Sequence, residues 1–213
     1  NIYYTNNGPT SIWDISNKVI PGIKGRRISI ESVSKVWNAC GLRIGALVTD
    51  SQVMFDKVRS EYTANLCANV IGQYIFGSIA NLSPQEITDW YKMQRKHYSE
   101  IITDLVNGLE KELPGLIISK PKASIYIVLD FSRITPDDFN ISRFIEYTAK
   151  YGISSFNNKN YTLLLSPMNG FFSTKMSHNK LARIALVEPK DKMKAVPSLL
   201  SSLLNDYILR SKG

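Results

Sequence analysis

Residues 31–45 read ESVSKVWNACGLRIG. A Ser-x-Ser-Lys run, Ser32 to Lys35, is followed by the cluster Gly41-x-Arg43-x-Gly45, with seven residues between Lys35 and Arg43. The run closes the segment RRISIES (26–32), whose alternation and β-branched residues predict a strand, and it leads into a second predicted strand, LRIGALVTD (42–50). A lysine amine just beyond a strand lies where α/β sheets place their ligands.

The chemistry of these residue types is specific. A protonated lysine is a poor nucleophile, and its characteristic covalent reaction, once burial or a neighbouring cation lowers its pKa, is Schiff-base formation with a carbonyl. Arg43 offers a planar fork of donors suited to a phosphate dianion, and Ser32 and Ser34 add hydroxyls beside the amine. Fully extended, the chain from Lys35 to Arg43 spans about 26 Å. The loop around Gly41 lets it turn back, so that both side chains serve one mouth. An amine and a phosphate clamp together specify an aldehyde that carries a phosphate, and pyridoxal 5'-phosphate is the cofactor of that description.

Outward from this stretch, helical periodicity is expected over 51–61 and 65–80, and residues 1–4 read as the end of a strand. SPQE (83–86) predicts a capped helix start, with Ser83 at the cap, Pro84 in the first turn and Glu86 closing a capping box. Its helix is expected to run to Leu113, where Pro114-Gly115 stops it. Beyond it, strands are expected at 123–131, 161–167 and 181–189, with helices at 136–152 and 192–211. The chain therefore reads as α/β. Residues 1–82 form a partial sheet domain, 83–113 a bridging helix and 114–213 a small α+β domain. The first 50 residues supply about three strands where an open sheet usually has four to six, and the chain opens without methionine. Both features lead us to expect a piece of a longer protein.

SVSKVWNACGLRIGALV resembles the cofactor-lysine motif of the class I/II aminotransferases, the fold-type I pyridoxal-phosphate enzymes, and within them the aspartate aminotransferase-like branch. ASIYIVLDF (123–131), LLLSPMNGFF (163–172) and LARIALVEP (181–189) are similar to later landmarks of the family in the same order. The resemblance covers the whole chain as the C-terminal half of such an enzyme, part of the large domain followed by the bridging helix and the small domain. It implies transfer of an amino group between an amino acid, aspartate-like or similar, and a 2-oxo acid, within a homodimer of the full-length parent. By resemblance, Lys35 is the catalytic Schiff-base lysine and proton carrier, and Ser32 and Arg43 bind the cofactor phosphate. Ser34 orders the turn, and Tyr3, with Tyr4 one residue off, bonds the cofactor's phenolic oxygen. Arg183 corresponds to the arginine that grips the substrate α-carboxylate. Arg59 falls near the place of the arginine that reaches a distal carboxylate across the dimer, although a plain helix-surface arginine fits the same stretch. Thr63 and Asn65 follow where the partner's site would be approached, and His97 reads as structural. The acidic residue that pairs with the pyridine nitrogen is expected before residue 1. A C–S lyase of the same fold and the effector domain of an aminotransferase-like transcription regulator share these motifs.

Composition bounds the remaining classes. The 213 residues are 44% hydrophobic and carry a net charge of +8, which is compatible with anionic small molecules. The basic residues are scattered, dense only at KGRR (24–27) and EPKDKMK (188–194), which argues against nucleic acid. Two cysteines without a CxxC partner, Cys40 and Cys67, suggest reduced thiols in a cytoplasmic protein, and two histidines supply a metal site poorly. No apolar run approaches the roughly 18 residues that span a bilayer.

Overall fold

The computed structural model describes residues 2–4, 8, 10–65, 68–173 and 178–211. The chain divides into two compact units, Asn1–Lys92 and Met93–Gly213.

In the first unit, strand β1 (Ile28–Ser32) is followed by a single helical turn, α1 (Val33–Val36), and by strand β2 (Gly45–Thr49). The two strands pair antiparallel from Ile28↔Thr49 to Ser32↔Gly45. At the open end of this ribbon Arg27 meets Asp50. Its Nη2 lies 2.7 Å from Oδ2 and its Nε 2.8 Å, while its backbone N–H donates to Oδ1 at 3.0 Å. Arg27 Nη1 also donates to the Ile15 carbonyl at 3.1 Å, and the guanidinium lies 5.3 Å from the centroid of the Trp13 ring. Helix α2 (Gln52–Ala64) is capped by Ser51, and α3 (Val70–Gly77) by Asn69. The expected helix over 65–80 thus starts at the Asn69 cap and ends in a 3-10 turn, Ser78–Asn81, and Cys67 lies outside the described residues. Instead of a strand end, residues 2–4 contribute only an isolated bridge at Tyr3.

Helix α4 (Pro84–Glu112) runs from the first unit into the second. Its capping box forms as expected: Glu86 Oε2 accepts from the Ser83 N–H at 2.8 Å, and Ser83 Oγ accepts from the Glu86 N–H at 3.3 Å. These bonds from the Ser83 backbone and hydroxyl hold the Glu86 carboxyl below the usual glutamate range.

The second unit continues with β3 (Ile117–Ile118), β4 (Tyr126–Asp130), α5 (Ile141–Lys150), β5 (Ser154–Phe156) and β6 (Lys159–Tyr161). It ends with β7 (Ser166–Pro167), β8 (Leu181–Ala185), α6 (Lys190–Met193) and α7 (Val196–Ser211). The main sheet is antiparallel in the order β3-β4-β8-β7. Strict alternation buries Ile127, Leu129, Ala182 and Ile184 on one face, together with Ile101, Leu105 and Leu109 of α4 and Leu200, Leu203 and Leu204 of α7. Each such large side chain stabilises the fold by about 1.5–3 kcal/mol. The α4–α7 contact is close: a Cβ on Gly108 would meet Pro197 Cγ at 2.7 Å.

Several expected boundaries move for local reasons. The helix expected from residue 136 begins only after Asn140, whose side chain accepts from the N–H groups of Ser142 and Arg143. Of the strand expected over 161–167 only Ser166–Pro167 joins the main sheet, while Tyr161 belongs to a separate hairpin with β5. That hairpin turns at Asn157 and Asn158, both at positive φ (49° and 60°), as a tight two-residue turn requires. The terminal helix divides into α6 and α7, with Pro197 in the first turn of α7, where a missing N–H is tolerated. The dense basic segments are partly neutralised: Arg27 pairs with Asp50, Lys190 with Glu100 and Asp104, and Lys192 with Glu188.

Partial burial alone would raise the Asp50 carboxyl, but the N–H of Gly25, the Arg27 guanidinium and the Arg27 N–H together hold it below the ordinary aspartate value. A carboxylate depressed by folding adds stability that is present above the unfolded pKa, about 3.9, and is lost as pH falls through the folded value. Asp50→Asn is therefore expected to lower the melting temperature at pH 7, and the gap to wild type should close below about pH 4. Circular-dichroism melts at pH 7 and pH 3 check this. An equal gap at both would remove the clamp's electrostatic role.

Candidate active site

The pairing of Ser32 with Gly45 closes a loop, residues 33–44, that holds both Lys35 and Arg43. The Val33 N–H donates to the Ile44 carbonyl at 3.3 Å and tightens the neck. Ser32 ends β1 in extended conformation and caps α1, its Oγ accepting from the Ser34 N–H at 3.2 Å. Ser32 rather than Ser34 thus orders the turn through its side chain, and the Ser32 hydroxyl keeps its own proton to donate. Lys35 follows on the turn with its side chain exposed.

The loop is held on both flanks. Trp37, two residues after Lys35, stacks on Trp90 of α4 (centroids 6.2 Å apart, planes at 10°). It also meets Tyr91 at 5.4 Å and the edge of Phe76 at 6.1 Å. On the other flank, the 3-10 turn Cys40–Leu42 ends at Arg43, which adopts a left-handed conformation (φ 55°, ψ 39°). Arg43 Nη1 donates to the Cys40 carbonyl at 3.0 Å, and the guanidinium is exposed. That bond leaves the Nε–Nη2 edge open, the edge that binds an oxyanion bidentately. Cys40 is an exposed free thiol on this turn.

In the second unit Arg183 lies in β8 opposite Val128 of β4. Its guanidinium sits between two aromatic faces, 4.3 Å from the Tyr126 centroid and 4.6 Å from that of Phe171. Its Nε is buried with no hydrogen-bond partner, and among the described residues no carboxylate lies within ion-pair distance. A buried N–H donor without a partner is destabilising. The arrangement suits an incoming carboxylate. His178 likewise buries an unpaired Nε2, and its ring stacks on Phe172 at 3.7 Å.

Lys35 and Arg43 are therefore carried on one loop, closed at its neck by Ser32 and Gly45. Arg59 is elsewhere, exposed on α2, 3.8 Å from Asp56 and 5.6 Å from the Phe55 centroid. It lines an apolar groove of about 580 Å³ with Ile44, Leu47 and Tyr62. Thr63 and Asn65 bond back to carbonyls of α2, at Arg59 and Glu61. Tyr3 and Tyr4 are half-buried. His97 is exposed on α4, against the edge of Tyr98. Sequence reading missed the Trp37 stack and the two rings around Arg183. An aromatic two residues from Lys35 was a visible signal for the first, whereas the second depends on long-range register.

Among known families, the chain matches the model of aminotransferase class I and II over residues 5–172, and it belongs to that family. Lys35, Ser32, Arg43 and Arg59 fall within the matched span, while Tyr3 and Arg183 lie outside it. No curated protein matches in sequence. Among solved structures, a methionine aminotransferase of Escherichia coli, YbdL, superposes with a TM-score of 0.70 at 15% identity, covering 94% of this chain and 47% of that one. The kynurenine aminotransferase of Pyrococcus horikoshii gives 0.70 at 20% identity, with 97% and 46% covered. A mutant aspartate aminotransferase of Thermus thermophilus gives 0.63 at 16% identity, with 88% and 45% covered. The chain shares their α/β fold and spans just under half of their length.

Enzymes of this family use pyridoxal phosphate. The donor set of the loop fits that cofactor: an exposed amine for the aldehyde, with a hydroxyl proton and an open guanidinium edge for the phosphate.

Proposed function

We propose that the chain contributes the lysine, phosphate-clamp and carboxylate-binding elements of a pyridoxal-phosphate-dependent aminotransferase acting between an amino acid and a 2-oxo acid. The observation that carries this reading is the closed loop that presents the Lys35 amine and the open edge of Arg43 from one neck. The buried Nε of Arg183, without a hydrogen-bond partner, supports it from the second unit. In this reading residues 1–82 belong to the large cofactor-binding domain, 83–113 to the bridging helix and 114–213 to the small domain. The two-stranded ribbon, with Ile30 on one face and Leu47 and Val48 exposed, suits membership of a larger sheet.

Bound pyridoxal phosphate supplies an aldehyde that accepts the amino group and a ring that takes up electrons from the substrate's Cα–H bond. Lys35 Nζ would hold the cofactor through its aldehyde carbon and, once displaced there by the substrate's amino group, would be free to take the proton released from Cα. The Ser32 hydroxyl would donate to the phosphate, and the Nε–Nη2 edge of Arg43 would neutralise it. Tyr3 would donate its phenol to the ring oxygen. Arg183 grips the α-carboxylate through its fork, and the Tyr126 and Phe171 faces exclude water from that contact. Arg59 serves the distal carboxylate of an aspartate-like substrate from the partner subunit of a homodimer. We place the enzyme in the cytoplasm; among the described residues no helix is long and apolar enough to cross a membrane.

In the intact protein Lys35→Ala is expected to abolish amino transfer together with the visible absorbance of protein-bound pyridoxal phosphate, while far-ultraviolet dichroism stays unchanged. Retained transfer would refute the assignment. Arg183→Lys keeps the charge and loses the fork. It should raise KM for both the amino acid and the 2-oxo acid about a hundredfold, within the range seen when a buried charge pair is disrupted. Steady-state kinetics with the two substrates varied in turn decides it, and an unmoved KM removes Arg183 from the carboxylate site.

A further inference from the structure

Arg43 is one of five non-glycine residues at positive φ among the described residues, and the only arginine among them. A left-handed conformation costs an ordinary side chain about 1–2 kcal/mol and persists where the surroundings over-determine it. Here the constraint comes from α3, against the peptide plane that joins Leu42 to Arg43. The Asn69 side chain donates from Nδ2 to the Leu42 carbonyl at 3.3 Å, while its Oδ1 accepts from the Gly72 N–H at 3.2 Å. Gly72 is buried, and a Cβ built there would lie 2.6 Å from the same Leu42 oxygen and 3.1 Å from Ile44 Cγ1. The Leu42 oxygen is thus fixed by a donor and by a backbone approach that only glycine permits. Fixing that oxygen fixes the plane that also carries the Arg43 N–H, and so limits the φ of Arg43.

We infer that Asn69 and Gly72 are positioning residues for Arg43, holding the Leu42–Arg43 peptide so that the open guanidinium edge is aimed at the cofactor phosphate. The inference rests on the proposed phosphate role of Arg43. Neither residue touches the phosphate in this account; both act through the Leu42 carbonyl. Asn69 has two separable jobs, since its Oδ1 caps α3 and its Nδ2 ties Leu42. Serine and aspartate cap a helix about as well as asparagine, but neither supplies the amide donor. Asn69→Ser and Asn69→Asp therefore keep the helix start and release the carbonyl.

The test compares two probes on the intact protein, pyridoxal 5'-phosphate and unphosphorylated pyridoxal, by equilibrium titration of the wild type and of Asn69→Ser, Asn69→Asp, Gly72→Ala and Arg43→Ala. The ratio of the two affinities isolates the phosphate contact, because general loosening of the loop weakens both probes alike. Both Asn69 variants should lower the ratio about tenfold, an effect of about 1.4 kcal/mol, with the melting temperature close to wild type. Gly72→Ala should lower it at least as far. If Arg43→Ala lowers the ratio and both Asn69 variants leave it unchanged, the positioning role is overturned while the phosphate role stands. If Arg43→Ala leaves the ratio unchanged, the phosphate reading itself fails and the inference falls with it. Should Gly72→Ala fail to fold, the Asn69 pair still decides the matter.

Discussion

The antiparallel register of β1 and β2 is the constraint on which the candidate site depends. A slip of one residue would turn every side chain of the ribbon to its other face, and it would also move Ser32 away from Gly45 and open the loop between them. Two-stranded ribbons are marginal on their own, so the ends must supply what a wider sheet would. The Arg27–Asp50 clamp does so at one end, seated on the Ile15 carbonyl and the Trp13 ring. A hydrogen bond from Thr49 Oγ1 to the Arg27 carbonyl at 2.9 Å reinforces it. At the other end the Val33–Ile44 bond completes the neck. The fixed register keeps Lys35 and Arg43, eight positions apart, on one closed loop.

Arg43 in the first unit and Arg183 in the second are prepared by different means, and each suits the anion proposed for it. Arg43 stands in an exposed turn, and its direction is set through its own backbone. Arg183 stands in a strand whose alternation buries its neighbours, and its guanidinium is sheltered by two ring faces. Tyr126 reaches it because Val128 is the direct partner of Arg183 and Tyr126 lies two residues along the same face, in diagonal range. The rings stabilise the cation without consuming its hydrogen-bond donors, which a carboxylate partner would do.

What could be read in the sequence follows from the range of the interactions involved. SPQE gave the start of α4 because a capping box is complete within four residues. The loop carrying Lys35 and Arg43 was legible for a similar reason, since the strands that close it at Ser32 and Gly45 lie close together in sequence. The strand expected over 161–167 failed because LLL at 163–165 reads as strand by composition, while the pairing partner of Tyr161 is β5. The start expected at residue 136 failed because Asp137 and Asp138 imitate the acidic first turn of a helix that begins only at Ile141, after its Asn140 cap. Asn157-Asn158 was a readable hairpin signal that the long strand expectation overlooked. The tie from Asn69 to Leu42 spans 27 residues, and the rings around Arg183 come from β4 and from the turn before β8. Local pattern cannot specify such contacts.

Preparation of this kind has an energetic consequence. Holding Arg43 in the left-handed region and burying Nε of Arg183 without a partner both destabilise the unliganded chain, by about 1–3 kcal/mol for each such feature. A residue free to relax would abandon either arrangement. That both are held by neighbouring packing means the reorganisation has been met in folding, so an arriving anion need not order the side chain that receives it. An exposed clamp is appropriate for a phosphate dianion, whose strong hydration makes full burial expensive. A carboxylate with one charge and an apolar substituent gains more from the sheltered fork between Tyr126 and Phe171, where exclusion of water strengthens each charge-assisted hydrogen bond. On the proposed roles, the chemistry of the two anions accounts for the different surroundings of two otherwise identical side chains.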